Sequence, residues 1–197
     1  MPRRLKHRIS LALLTLFATG LSVAGPAAPA LAALPQGGAA PDFNTQAVLA
    51  GKPFTFRLAE ALRNGPVVLY FFPAAFTSGC TIEAHDFSDA TDRFHAAGAS
   101  IIGLSHDPLD KLSRFSITEC RNKFAVGVAD SAVIAAYKVK LPLLSMSDRT
   151  SYVIAPDGKI LMAYSALSPQ GHVAKSLAAV QAWRAAHPAF RTPGGKE

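Results

Sequence analysis

The sequence predicts an α/β domain with a mixed central β-sheet and helices flanking both of its faces. Three observations carry that expectation. Two continuous apolar runs of strand formers, 67–72 (VVLYFF) and 100–105 (SIIGLS), read as strands buried on both faces. Each run is followed by a stretch of helical period. The chain then finishes in a hairpin and one last amphipathic helix.

In chain order, 33–40 (ALPQGGAA) reads as a flexible leader, and Pro41-Asp42-Phe43 opens the ordered domain, 41–187. Phe54 and Phe56 alternate with Thr55 and Arg57 after a Gly51-Lys52-Pro53 turn, which predicts a short strand. The run at 67–72 is bounded by Gly65-Pro66 and by Pro73. From Cys80 the apolar period becomes helical, through Ala84, Phe87, Thr91 and Phe94, and this helix should end before Gly98. Glu83, Asp86, Asp89 and Arg93 supply its polar side. Asp107 is expected to cap the next helix, with Pro108 at its first position and Asp110 in its first turn. That helix carries Leu112 and Phe115 inward and ends near Cys120. A strand at 125–129, a short helix at 131–138 and a hairpin of 150–155 with 159–164 across Pro156-Asp157-Gly158 follow. Ser168-Pro169 is expected to cap a last helix bearing Val173, Leu177, Val180 and Trp183, before a fraying tail at 188–197.

The chain has 197 residues, half of them apolar, enough for a full core and one domain. Arg3, Arg4, Lys6 and Arg8 precede an uncharged apolar run at 9–23 and small residues ending Ala30-Leu31-Ala32, the pattern of a secretory signal peptide at 1–32. An uncleaved anchor is the competing reading, but the run is shorter than the roughly 20 residues of a spanning helix. Cleavage would lower the formal charge from +7 to +3. No basic cluster then argues for nucleic acid, and no stable membrane insertion is expected. The expected destination is an exported, periplasmic one. A monomer is expected, with a dimer as the alternative.

Two cysteines, Cys80 and Cys120, would thus meet an oxidising compartment, where a plain structural disulfide is one reading. Cys80 also stands where a strand, a proline turn and a helix start succeed one another. The first turn of a helix offers free N–H groups that can lower a thiol pKa from about 8.5 toward about 3.5–7.5. Thr77 can point its hydroxyl across the turn to the sulfur, and Gly79 lets backbone approach closely. Thr77 capping the helix with Cys80 filling the core is the plainer reading of the same residues.

Pro73-x3-Thr77-x2-Cys80 resembles the peroxidatic motif of peroxiredoxins, and YFFPAAFTSGCTIE is similar to the bacterioferritin-comigratory (PrxQ) subfamily. The likeness runs from about Pro41 to Trp183 and includes Asp148-Arg149-Thr150-Ser151 and Pro156-Asp157-Gly158. It implies a thioredoxin-like fold and a thiol-dependent peroxidase that reduces hydrogen peroxide and organic hydroperoxides. Cys80 would attack the O–O bond and become a sulfenic acid. Thr77 would bind the peroxide, Pro73 would shield the site, and Arg149 would fix the sulfur and stabilise the leaving oxygen. Glu83 matches the subfamily's acid near the cysteine and is expected to help order the helix start. No metal or organic cofactor is implied, and the partners implied are a peroxide substrate and a thioredoxin-like or other thiol reductant.

The sequence departs from the subfamily at two places. His85 replaces the resolving cysteine that many members carry five residues after the first, and it is expected on the solvent side. Ser78 replaces a common proline. The resemblance leaves Cys120 as the resolving candidate, forming a Cys80–Cys120 disulfide after local unwinding, with a one-cysteine mechanism as the alternative. A thioredoxin-like thiol-disulfide oxidoreductase is a rival function, though Thr77 stands where its first cysteine would be. A copper-binding thioredoxin-like protein using Cys80 and His85 is another, short of a second nearby thiolate.

Overall fold

The computed structural model describes residues 33–190, so the expected signal peptide and residues 191–197 lie outside the described residues. A seven-stranded mixed sheet is built from β1 (Asn44–Leu49), β2 (Lys52–Arg57), β3 (Val67–Phe71), β4 (Ser100–Ser105), β5 (Ala125–Val128), β6 (Thr150–Ile154) and β7 (Ile160–Ser165). Their order is β2-β1-β5-β4-β3-β6-β7. Only the β3–β4 and β4–β5 pairs are parallel. The helices are α1 (Leu58–Leu62), α2 (Ser78–Ala96), α3 (Leu109–Thr118), α4 (Ser131–Ala136) and α5 (His172–Ala186). This is the expected thioredoxin-like α/β arrangement.

The all-buried β3 explains how one sheet makes two cores, because successive side chains leave a strand on opposite faces. Val68, Tyr70 and Phe72 join Phe87, Phe94, Phe115, Leu177 and Val180 beneath α2, α3 and α5. Val67, Leu69 and Phe71 join Leu58, Leu62, Ile134 and Tyr137 against α1 and α4. Placing β3 between β4 and β6 leaves it no free edge. At its carboxyl end the chain must turn out of the sheet, and the Cys80 helix starts there.

Several expectations shift. β1 and α1 went unread in the sequence, and β1 forms the second-outermost strand. Residues 33–40, expected to be flexible, are bound to the sheet edge: Gly37 N–H donates to Ile160 O at 2.8 Å, and Ala40 N–H to Gly158 O at 2.9 Å. Leu34 N–H donates to the Tyr152 hydroxyl at 3.1 Å. Asp107 does not cap α3; Pro108 holds the cap position, and the Asp107 carboxylate accepts from Ala75 N–H at 2.7 Å and Lys111 Nζ at 2.7 Å. Those partners offer it a backbone donor and a cation at once. Ser168-Pro169 likewise lies ahead of α5, whose cap is Gly171 in the left-handed region (φ 91°). At the start of the expected tail, Phe190 packs edge-on against Trp183. Among the described residues no helix is long and apolar enough to cross a membrane.

Candidate active site

β3 delivers the chain through Pro73, half-buried, to Phe76, whose positive φ of 68° swings the backbone into α2. Thr77 is the extended cap residue, and the ladder of α2 begins with Thr81 N–H donating to Thr77 O at 2.9 Å. The first N–H groups of a helix have no partner within it, so the opening turn is the positive end of the dipole. Cys80 lies in that turn, 1% exposed.

Arg149 reaches it from across the sheet. In the antiparallel β3–β6 pair Thr150 stands opposite Phe71, which sets Arg149 beside the end of β3. Its guanidinium is buried and held at three points. Nε–H donates to Leu167 O at 2.9 Å, Nη1–H to the Glu83 carboxylate, and Nη2–H to Cys80 Sγ at 3.4 Å. A planar five-donor fork can serve such a divided set of acceptors, whereas a lysine could not. Gly79 leaves the required space, since a Cβ there would lie 3.0 Å from Nη2.

Glu83 differs from its expected place on the polar side of α2: it is wholly buried. Four of the helix's buried residues, Cys80, Glu83, Ala84 and Phe87, make a stripe wider than a simple apolar pattern reveals. Its Oε2 takes Arg149, while Oε1 has no hydrogen-bond donor and faces His172 Nδ1 at 3.6 Å. Burial pushes the Glu83 carboxyl up to about 8 against the opposing pull of Arg149. Burial also holds the His172 imidazole down, to about 4. The Tyr70 hydroxyl is another buried group with no partner, its pKa raised by burial and by Cys120, Glu83 and Cys80.

His172 is a site-lining residue that sequence reasoning missed. It sits four and eight positions before Ser176 and Val180, both buried, and this spacing was the available signal. Thr77 is brought to the site but not to the sulfur. It is exposed, and its hydroxyl donates to Ala74 O at 3.0 Å, completing a local turn instead of bonding Cys80 or capping α2.

A cysteine at a helix start, gripped by a buried arginine that Glu83 also holds, is thus assembled from two separate stretches of chain. Residues 36–163 match the family model described as the AhpC/TSA family. The chain belongs to the AhpC/TSA family. It is a peroxiredoxin of the Bcp type, a thiol-dependent peroxidase. A Mycobacterium tuberculosis relative with a provisional peroxiredoxin name is 39% identical over 132 residues, covering 65% of this chain and 86% of that one. Peroxiredoxin Bcp of Xanthomonas campestris is 29% identical over 156 residues, covering 70% of this chain and 97% of the relative. Among solved structures, peroxidoxin BcpB from Mycobacterium tuberculosis superposes with a TM-score of 0.68 at 36% identity, over 75% of this chain and 96% of that one.

His85 is half-exposed, as expected, and its Nε2 pairs with Glu119 Oε2 at 2.9 Å. Cys120 follows directly, a free and wholly buried thiol whose pKa burial raises well above the usual value. Its carbonyl accepts from the Ser88 hydroxyl at 3.3 Å, tying the Cys120 turn to α2. Among the described residues no group of three or more His, Cys, Asp or Glu is placed to hold a metal ion.

Proposed function

We propose that Cys80 is the peroxidatic nucleophile and that Cys120 resolves it. The observation that supports this reading is the 3.4 Å bond from Arg149 Nη2–H to the sulfur of a helix-start cysteine. A fixed cation and the opening N–H groups of α2 both favour negative charge at this sulfur. The thiolate attacks the terminal oxygen of ROOH, the O–O bond breaks, and Cys80–S–OH and RO⁻ form. Arg149 meets the charge growing on the departing oxygen, and one proton converts it to ROH. Thr77 turns its hydroxyl from Ala74 O to the peroxide, and Pro73 walls off water.

Cys120–SH then attacks the sulfenic sulfur, giving the Cys80–Cys120 disulfide and water. Both sulfurs belong to the same core cluster. The step needs the start of α2 and the turn after α3 to open. An external dithiol of thioredoxin type then reduces the disulfide, supplying two electrons and two protons. Export to the periplasm, directed by residues 1–32, completes the reading.

Mass spectrometry of reduced protein after one equivalent of peroxide tests the cycle. A Cys80–Cys120 disulfide in the wild type and a trapped sulfenic acid on Cys80 in Cys120→Ser are expected. An unmodified Cys80 in both proteins would overturn the assignment, and a sulfenic acid in both would leave Cys80 peroxidatic with an external resolving thiol.

A further inference from the structure

The loop from β3 to the Cys80 helix is steered by a carboxylate that the chemistry above leaves unused. Asp107 stands two residues past β4, with its side chain 11% exposed. Oδ2 accepts from Ser105 Oγ–H at 2.8 Å and from Ala75 N–H at 2.7 Å, while Oδ1 accepts from Lys111 Nζ at 2.7 Å. Ser105 closes β4 and Lys111 lies on α3, so the sheet braces the carboxylate on one side and a helix braces it on the other. Among the described residues, the bond to Ala75 is the one hydrogen bond that ties 73–76 to another element. A carboxylate this enclosed is costly to bury unless donors meet it, and here one of the donors is the loop itself.

The direction of that bond fixes a second one. The peptide joining Ala74 and Ala75 is planar and trans, so its N–H and its C=O point opposite ways. With the N–H held on Asp107, the Ala74 carbonyl is turned to Thr77, whose hydroxyl donates to it at 3.0 Å. Phe76 lies between them at its positive φ of 68°, its ring edge-on to Phe115 at 5.3 Å, and brings Thr77 back over the carbonyl. Thr77 is exposed, and this carbonyl is what holds its hydroxyl. Released from it, the side chain would divide among staggered rotamers.

We propose that Asp107 is a positioning residue of the peroxidase: through the Ala74–Ala75 peptide it sets the Thr77 hydroxyl in place to receive the peroxide. The inference rests on the roles proposed above for Cys80 and Thr77. Asp107 breaks no bond and moves no proton; it acts by fixing one peptide dipole. Without it the peptide can rotate, Ala74 O swings away, and the hydroxyl must be aligned anew for each peroxide. Arg149 keeps its grip on the sulfur, since its own partners are Leu167, Glu83 and Cys80. Loss of Asp107 therefore weakens peroxide capture and spares the activation of the thiol.

Two rates on the reduced protein separate these roles: stopped-flow oxidation of Cys80 by hydrogen peroxide, and alkylation of Cys80 by iodoacetamide, read by peptide mass mapping. Alkylation needs the thiolate but no group that binds peroxide. Asp107→Ala is expected to slow oxidation about tenfold while alkylation holds or rises. Asp107→Asn keeps an acceptor for Ala75 N–H and should recover most of that loss. In a Thr77→Val background the hydroxyl is gone, and Asp107→Ala should then change oxidation little. Unchanged oxidation in folded Asp107→Ala, a fall in both rates together, no recovery in Asp107→Asn, or an equal loss in both backgrounds would overturn the proposal. If Asp107→Ala does not fold, amide hydrogen exchange at Ala75 in labelled wild type decides. Slow exchange together with near-wild-type oxidation in Asp107→Asn supports the proposal, and exchange at the rate of an open loop sinks it. Peroxide that left Cys80 unmodified in wild type, or a Thr77→Val as fast as wild type, would refute the proposed function itself.

Discussion

His85 Nε2 and Glu119 Oε2 meet at 2.9 Å, joining the second turn of the Cys80 helix to the residue beside Cys120. Arg121 pairs with Asp89 at 2.6 Å and Lys123 with Asp92 at 3.5 Å, so the same face of α2 clips the Cys120 turn three times. The turn itself is strained, with Arg121 and Asn122 at φ 50° and 60°. Each pair is partly exposed and stabilises by only about 0–1 kcal/mol. Glu119→Gln should therefore speed Cys80–Cys120 disulfide formation by about two- to fivefold, with the first oxidation of Cys80 unchanged. Rapid-quench mass spectrometry separates the two rates, and a slower disulfide step would rule the latch out.

Arg149→Lys keeps the charge and loses the fork that serves Leu167, Glu83 and Cys80 together. A fall in kcat/KM for hydrogen peroxide of about 100-fold is expected, as for loss of a charge-stabilising donor. Stopped-flow peroxide consumption checks it. A change of less than threefold would remove Arg149 from the chemistry.

The buried acid and imidazole should shape stability against pH with opposite signs. Glu83 binds its proton more tightly folded than unfolded, so its contribution is full below about pH 4.5 and is lost as pH rises through about 8. His172 is depressed from 6.5 to about 4, so its contribution is present above pH 6.5 and is lost as pH falls toward 4. The two slopes oppose one another between those ranges, and above pH 6.5 the Glu83 decline stands alone. Urea unfolding at a series of pH values should show that decline in wild type and a flatter profile in Glu83→Gln. Parallel profiles would contradict the assignment.

Gly103 faces the ring of Tyr70 so closely that a Cβ would lie 2.5 Å from Cζ and 2.7 Å from the hydroxyl oxygen. Tyr70 is stacked on Phe87 at 4.4 Å and cannot retreat. Gly103→Ala should destabilise by about 1–3 kcal/mol, the range for overpacking a tight core. Denaturant midpoints measure it, and an unchanged midpoint would show that the ring has room.

The strands at the centre were legible because burial on both faces leaves an uninterrupted apolar run, as in 67–72 and 100–105. The Cys80 helix was legible from its period. The period puts Glu83 on the polar face, but its burial depends on Arg149, 66 residues away, and local pattern carries no trace of such a partner. Asp107 resembles a cap in the sequence because its nearest obvious task is local, whereas the fold gives it Ala75 N–H. The polar strand Asn44–Leu49 lacks the alternation of a half-buried strand and is held by β2 and β5 on either side. His172 offered only its spacing, and its meaning comes from the acid it faces.

The bound leader also has a meaning for how copies of this chain behave in a crowd. β7 is a rim of the sheet, and rims are templates on which a foreign strand can assemble. Residues 37–40 already occupy backbone groups of 158–160 that such a visitor would seek. Truncating or displacing that short segment would bare a sticky border, so the first cost of trimming it should be clumping, well before any loss of peroxidase activity.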